Sequence, residues 1–279
     1  MGIPTIIAPV GDSIADAASL ALERTDQPFR SLRELDGVSI AVESTGRINL
    51  NLPDGSTVDD TSIGNVLFRG VPSVAEMNTR DRQYAADEWL AAISLLLRPR
   101  STRLVINPPL PFQPRMRTTP HGRRHQLEFR GNGFLGALDY ELGNRRRPKE
   151  GDTAIAHCAG RVAEPGDLQS ANRGRELLTV FRTSVAEIMY VWLVGGVPVA
   201  SGLLSETAGQ RSAEEAALDL ARTASTQAGY IFGVAWILKV EHRTNPFVYW
   251  DFDPFPSTDL AHEDQASVIG HALAELLVT

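Results

Sequence analysis

The 279 residues predict an α/β fold on three observations. Short β-like runs alternate with amphipathic helical patterns through the first third, a proline cluster interrupts the chain, and the alternation resumes in the last third. TIIAPV (5–10) reads as a strand, and Ser13 to Leu22 follows as a helix with Ile14, Ala17, Ala18 and Ala21 on one face. VSIAVES (38–44) and RINLNLPDG (47–55) read as strands, the second alternating Ile48, Leu50 and Leu52 with polar neighbours before the turn Pro53-Asp54-Gly55. NVLFRG (65–70) is another strand. A helix is expected from about Asp81 to Leu97, with Trp89, Ile93 and Leu96 at helical spacing, and RLVIN (103–107) is the strand after it.

PPLPFQP (108–114) places four prolines in seven positions, which neither a helix nor a central strand tolerates, and marks the boundary. Beyond it, AEIMYVWLVGGVPVASGLL (186–204) reads as two strands joined by Gly195-Gly196. Ser212 and Glu215 form a capping-box pattern opening a helix from about Ala213 to Ala228. YIFGVAWILKVE (230–241) and FVYWDFD (247–253) are strands. The closing helix, about Glu263 to Leu277, should bury Ile269, Ala272, Leu273 and Leu276.

Composition narrows the class. Hydrophobic residues at 43% and charged residues at 22% are those of a globular protein. Twenty-seven basic against 34 acidic residues leave a net charge of −7, which argues against a surface built throughout for nucleic acid. The basic stretch from Arg115 to Lys149 reads as solvated surface. The single cysteine, Cys158, excludes an internal disulfide and a cysteine-based zinc site, and the cytoplasm is the expected compartment. The N-terminus lacks a signal-peptide pattern, and no stretch has the length of a membrane span. Only two lysines occur, Lys149 and Lys239.

The sharpest chemical feature is YWDFDPFPS (249–257). Alternation along a strand sends Asp251 and Asp253 to one face while Trp250 and Phe252 pack behind. Paired carboxylates suit a hard cation such as Mg²⁺, which shares its oxygen ligands with nucleotide phosphates. An exposed strand end carrying two ordinary acids fits the same residues equally well. His157-Cys158 is not a nucleophile pair, because neighbours in a strand point apart. The six histidines lack metal-ligand spacing, no phosphate-loop motif occurs, and Trp89, Trp192 and Trp250 read as core.

The order hairpin, helix, strand, acid-x-acid hairpin strand and terminal helix resembles the C-terminal half of an ATP-grasp domain, in which Asp251 and Asp253 take the place of the family's magnesium-binding acidic residue and asparagine. RRHQLEFRGNGFLGALDYELGN (123–144), TAIAHCAGR (153–161) and LLTVFRTSV (177–185) resemble its first helix and strand, its lysine-bearing strand and its adenine-contacting hinge. Residues 1–112 are similar to the pre-ATP-grasp domain of RimK-like ligases that modify ribosomally made peptides, the graspetide type. The resemblance implies a pre-ATP-grasp-like α/β domain (1–112) followed by a shortened ATP-grasp-like α+β domain (113–279), divided into a small central lobe (113–185) and a C-terminal lobe (186–279).

The departures carry equal weight. Arg124 and His157 stand where the family has phosphate-binding lysines, Met189 or Tyr190 where it has an arginine, and Trp236 where it has its first metal-binding aspartate. The resemblance therefore implies Arg124, His157 and Lys239 as nucleotide-facing groups and Asp251 and Asp253 as metal ligands, with a degenerate site. The function it implies is an ATP- and Mg²⁺-dependent ligase joining a carboxylate to an amine, hydroxyl or thiol through an acyl-phosphate, on a peptide or small metabolite. The alternative is a catalytically inactive relative serving as a binding or partner subunit beside another ligase. A homodimer is expected, with the apolar hairpin 191–199 as its surface. No membrane or nucleic-acid partner is implied.

Overall fold

The computed structural model describes residues 2–73, 79–98, 103–108, 140–143, 153–156, 161–162, 178–181, 185–204, 213–229, 231–241, 244, 246–253, 256 and 258–279. The chain divides into two compact units, residues 1–114 with 257–259 and 263–279, and residues 115–256 with 260–262.

The first unit is built on a parallel sheet in the order β2-β1-β6-β7. Its strands are β1 (Ile3–Ile7), β2 (Arg30–Leu32), β6 (Ile63–Phe68) and β7 (Val105–Ile106). Helix α1 (Ser13–Arg24) follows β1 and buries Ile14, Ala15, Ala18, Ala21 and Leu22. It starts where it does because Asp12 caps it: the carboxylate accepts the amide N–H of Ala15 at 2.9 Å. A small antiparallel sheet, β3 (Ser39–Val42), β4 (Ile48–Asn51) and β5 (Thr57–Asp59), turns Leu50 and Val58 into the core and packs β4 against α2 (Thr79–Leu96). Arg103 closes the end of α2 by donating to the carbonyls of Leu96 (3.2 Å) and Arg98 (2.8 Å).

The closing helix α4 (Glu263–Val278) departs from its expected place with the second part of the chain, because it packs on α1 in the first unit. Gly270 permits the approach: a Cβ there would lie 2.5 Å from the Ala17 Cβ, too close for two helices at this separation. The buried face is Ala266, Ile269, Gly270, Leu273, Ala274 and Leu277, so Ala272 and Leu276, expected inside, are only half-buried. Asn65 of β6 ties it down, its Nδ2 donating to the Leu277 carbonyl at 3.2 Å.

Two four-stranded antiparallel sheets occupy the second unit. One has the order β10-β9-β11-β8, from β8 (Tyr140–Gly143), β9 (Thr153–Ala156), β10 (Arg161–Val162) and β11 (Leu178–Phe181). The other has the order β13-β12-β14-β15, from β12 (Val185–Val194), β13 (Val197–Leu203), β14 (Phe232–Val240) and β15 (Phe247–Asp253). Gly195 and Gly196, both at positive φ, turn β12 into β13 as the sequence predicts. Helix α3 (Glu215–Ala228) covers one face of this sheet with Ala217, Ala221 and Ala224, and Gly229 ends it at φ 70°. Its N-cap is Glu214, with no side-chain cap bond, rather than Ser212, which lies outside the described residues.

Candidate functional site

The β12–β15 sheet carries the positions the sequence singles out, and its register decides which face each takes. Beneath α3 lie Met189, Val191 and Leu193 of β12, Ala235 and Ile237 of β14, and Phe247, Tyr249 and Phe252 of β15. Alternation then gives Tyr190, Trp192 and Trp236 to the opposite face. Asp251 pairs with Trp236 and Asp253 with Val234, so both acidic positions fall on the register of that opposite face.

A shift in register between Trp236 and Ile237 makes this arrangement. Ile237 pairs with Tyr249 and Trp236 with Asp251, which leaves Trp250 as the extra residue of a bulge. Had β15 run without it, the Asp251 and Asp253 positions would share the face of Tyr249, beneath α3. Phe252 packs behind the acids as expected, but Trp250 does not: its ring lies against that of Trp236, with centroids 6.3 Å apart at 60°. The bulge sends Trp250 to the side the sequence reserves for the acids alone.

Trp236 is walled from the other side by Tyr190, its direct partner on β12, with ring centroids 6.4 Å apart at 65°. Tyr190 in turn packs against Gly202 of β13, where any Cβ would run into the phenol. Trp192 stacks on Phe232 at 6.0 Å. These rings are buried, Trp236 and Trp250 each 6% exposed and Tyr190 2%. The Trp192 indole N–H is buried with no hydrogen-bond partner among the described residues. A donor and a set of ring faces meet no need of Mg²⁺, which demands six oxygens in near-octahedral array. The residues around Trp236 therefore do not fit a metal centre that draws a ligand from this position.

Lys239 lies on the other side of the sheet. It pairs with Glu187 and Phe247 in the register shared by Ile237, on the face that α3 covers. Its ammonium donates to Glu214 at 2.5 Å and lies 3.3 Å from Glu187. The hydrogen bond to Glu214, opposed by desolvation and reinforced by Glu187, raises its pKa above the ordinary lysine value. Glu214 and Glu187 hold this cation, which clasps the start of α3 to the sheet. Arg124 and His157 lie outside the described residues, as does the side chain of Asp251. Among the described residues no group of three or more His, Cys, Asp or Glu is placed to hold a metal.

The architecture has counterparts among solved structures. The macrocyclase MdnC from Microcystis aeruginosa, solved with its precursor peptide MdnA, aligns over 98% of this chain and 99% of its own at 12% identity, with a TM-score of 0.65. The ATP-grasp ligase PsnB, complexed with a phosphomimetic variant of its minimal precursor, Mg and ADP, aligns over 100% and 98% at 13% identity and a TM-score of 0.67. A RiPP-associated ATP-grasp ligase of Chryseobacterium gregarium, in complex with ADP and a leader and core peptide, gives 100%, 97%, 10% and 0.64. The chain has the ATP-grasp fold. The mixed α/β class expected from the sequence holds, and the fold is the one the resemblance implied. No protein-family model and no curated protein matches the sequence. Among the described residues no helix is long and apolar enough to cross a membrane.

Proposed function

We propose that this chain is a peptide-binding protein on the ATP-grasp fold that serves as a binding subunit in peptide modification and does not itself run magnesium-dependent phosphoryl chemistry. The observation that carries the reading is Trp236, set opposite Asp251 and enclosed by the rings of Tyr190 and Trp250. In the resembled ligases that position supplies a metal-binding aspartate. Phosphoryl transfer depends on cations and metal ions placed where charge develops on the transferring group. An indole in place of a carboxylate removes one such ligand and sets a buried ring between those of Tyr190 and Trp250. The peptide is inferred from the structural counterparts, all three of which are solved with precursor or leader peptides.

The retained pair Asp251 and Asp253 favours a second reading, an active ATP- and Mg²⁺-dependent ligase forming an acyl-phosphate on a peptide carboxylate. Calorimetry with Mg-ATP separates the two. The first reading expects no magnesium-dependent heat, since each lost ligand or cation removes on the order of 1–3 kcal/mol, roughly ten- to a hundredfold in affinity. Magnesium-dependent binding that Asp253→Ala abolishes, followed by ADP release when a peptide encoded beside the gene is added, establishes the ligase instead. Binding of that peptide without nucleotide, read by fluorescence anisotropy, is the positive expectation of the first.

A further inference from the structure

We infer that the outer edge of strand β3 is a docking site for an extended peptide of apolar-basic-apolar pattern, which joins the small sheet of the first unit as a further, antiparallel strand. The inference rests on the peptide-binding reading above and gives that peptide a contact in the first unit. It starts from the edge itself. β3, Ser-Ile-Ala-Val, ends the sheet order β3-β4-β5, carries neither charge nor proline, and pairs with β4 without a bulge. Charge, proline and bulges are the devices that keep other strands off such an edge.

Its hydrogen-bonding groups are turned to receive a strand. Glu43 donates its amide to the Arg47 carbonyl at 2.9 Å, and antiparallel alternation from that bond points Ser39 and Ala41 toward β4 and the N–H and C=O of Ile40 and Val42 outward. The side chains add an unfinished apolar face. Val58, Leu50 and Ile40 lie in one cross-strand row, and Ile48 and Val42 in the next. Burial falls away toward the edge: Val58 is 3%, Leu50 1% and Ile48 6% exposed, against 37% for Ile40 and 68% for Val42. One more strand with apolar side chains on this face covers both.

The pairing geometry sets the pattern. Peptide residues opposite Ile40 and Val42 exchange both backbone hydrogen bonds with them and share their apolar face. The residue between them faces Ala41 in the closer type of pair, on the polar face, where a methyl leaves space for a long side chain. Along this hairpin and β5 the polar face carries the carboxylates of Glu43 and Asp59, with Arg47 beside Glu43. Hydrogen bonds from Asn49 and Thr45 hold the Glu43 carboxyl below its ordinary range, so it is ionised at neutral pH. An arginine opposite Ala41 meets these carboxylates, and a glutamate there is repelled. The size of the edge agrees with a peptide. The outward stretch Ile40 to Val42 is about 10 Å long, whereas a stable dimer buries on the order of 1,200–2,000 Å². Short peptides bind by strand addition, with main-chain bonds for affinity and alternate side chains for specificity.

Fluorescence anisotropy of the full chain with a labelled synthetic peptide, Thr-Val-Arg-Val-Thr, tests the edge without nucleotide. Saturable binding in the range of about 10 µM to 1 mM is expected. Val42→Lys should weaken it roughly tenfold or more, as should Val42→Pro, which removes an outward donor without touching the β4 ladder. N-methylation of both peptide valines removes the partner donors, leaves the protein unaltered, and should do the same. Glutamate in place of the peptide's arginine should weaken binding severalfold. Circular dichroism matching the parent shows that the variants fold, and amide exchange at Ile40 and Val42 should slow when the peptide is added. No binding at millimolar peptide, or binding indifferent to Val42→Lys and to N-methylation, overturns the inference. So does slowed exchange at Ile40 and Val42 that grows with protein concentration in the absence of peptide, since a second copy then holds the edge. The peptide encoded beside the gene separates this inference from the proposed function: if it binds the Val42→Lys chain as it binds the parent, that function stands and β3 is not its docking edge.

Discussion

The parallel sheet of the first unit and the β12–β15 sheet of the second treat charge in opposite ways. At the carboxyl end of the parallel sheet of the first unit, Asp12 and Arg69 are both buried, their side chains 7% and 3% exposed, with the Arg69 Nε donating to the carboxylate at 3.1 Å. Asp12 spends its other oxygen on the cap of α1, and Arg33 reaches its carbonyl at 3.3 Å. On the uncovered-by-α3 face of the antiparallel sheet, the comparable central positions hold Tyr190, Trp192 and Trp236. A buried charge persists where a partner and a helix terminus both need it, and elsewhere aromatic rings fill the same kind of place without the desolvation cost.

Trp236→Asp should break this contrast most severely. It removes a buried ring and leaves a carboxylate among Tyr190 and Trp250, at a cost of about 4 kcal/mol or more. Trp236→Leu should lose less, about 2–4 kcal/mol, because no charge is buried. If instead added magnesium restores the denaturation midpoint of Trp236→Asp, the sheet face does fit a cation and the reading of a non-catalytic subunit fails. On the other sheet, Arg69→Leu strands the Asp12 carboxylate and should cost about 3–5 kcal/mol. Asp12→Asn, which can still cap α1, should cost clearly less. A urea midpoint unmoved by Arg69→Leu would show that the pair is incidental.

Smaller effects come from the close approaches that each unit builds on glycine. Gly202→Ala must push the Tyr190 ring off β13, and Gly270→Ala must part α4 from α1, each at about 1–3 kcal/mol. Near-ultraviolet circular dichroism separates them: Gly202→Ala should alter the aromatic signal, whereas Gly270→Ala should alter only the unfolding midpoint.

Much of this architecture was legible because local pattern and tertiary role agree. The strand and helix from Thr5 to Leu22, the Gly195-Gly196 hairpin and the acid-x-acid strand carry their own periodicity and turn chemistry. β2 and β5 escaped notice because three residues hold too little alternation to read. The Trp250 bulge is a property of pairing: nothing in YWDFD distinguishes a strand that inserts a residue from one that does not. The place of α4 in the first unit depends on Gly270 meeting Ala17 across some 250 residues, a contact that amphipathicity of either helix leaves unspecified. The face that Lys239 takes was illegible for the same reason as that of Trp250, since it follows from the registers of β12 and β15.

The subtlest expected effect concerns Lys239 and pH. Glu214 and Glu187 raise its pKa in the folded chain relative to the unfolded one, so the folded state holds this proton more tightly. Its contribution is therefore fully present below the unfolded lysine pKa of about 10.4 and is lost as pH rises through the higher folded value. Thermal unfolding from neutral to strongly alkaline pH should show wild type above Lys239→Met at neutral pH, with the gap closing as the ammonium loses its proton. The gap stays small because Glu214 and Lys239 are partly exposed, and added salt should narrow it further. A gap that persists unchanged at high pH would mean that the lysine acts through its aliphatic stem packed near Phe247, whose ring centroid lies 5.9 Å from Nζ, and not through the clasp on α3.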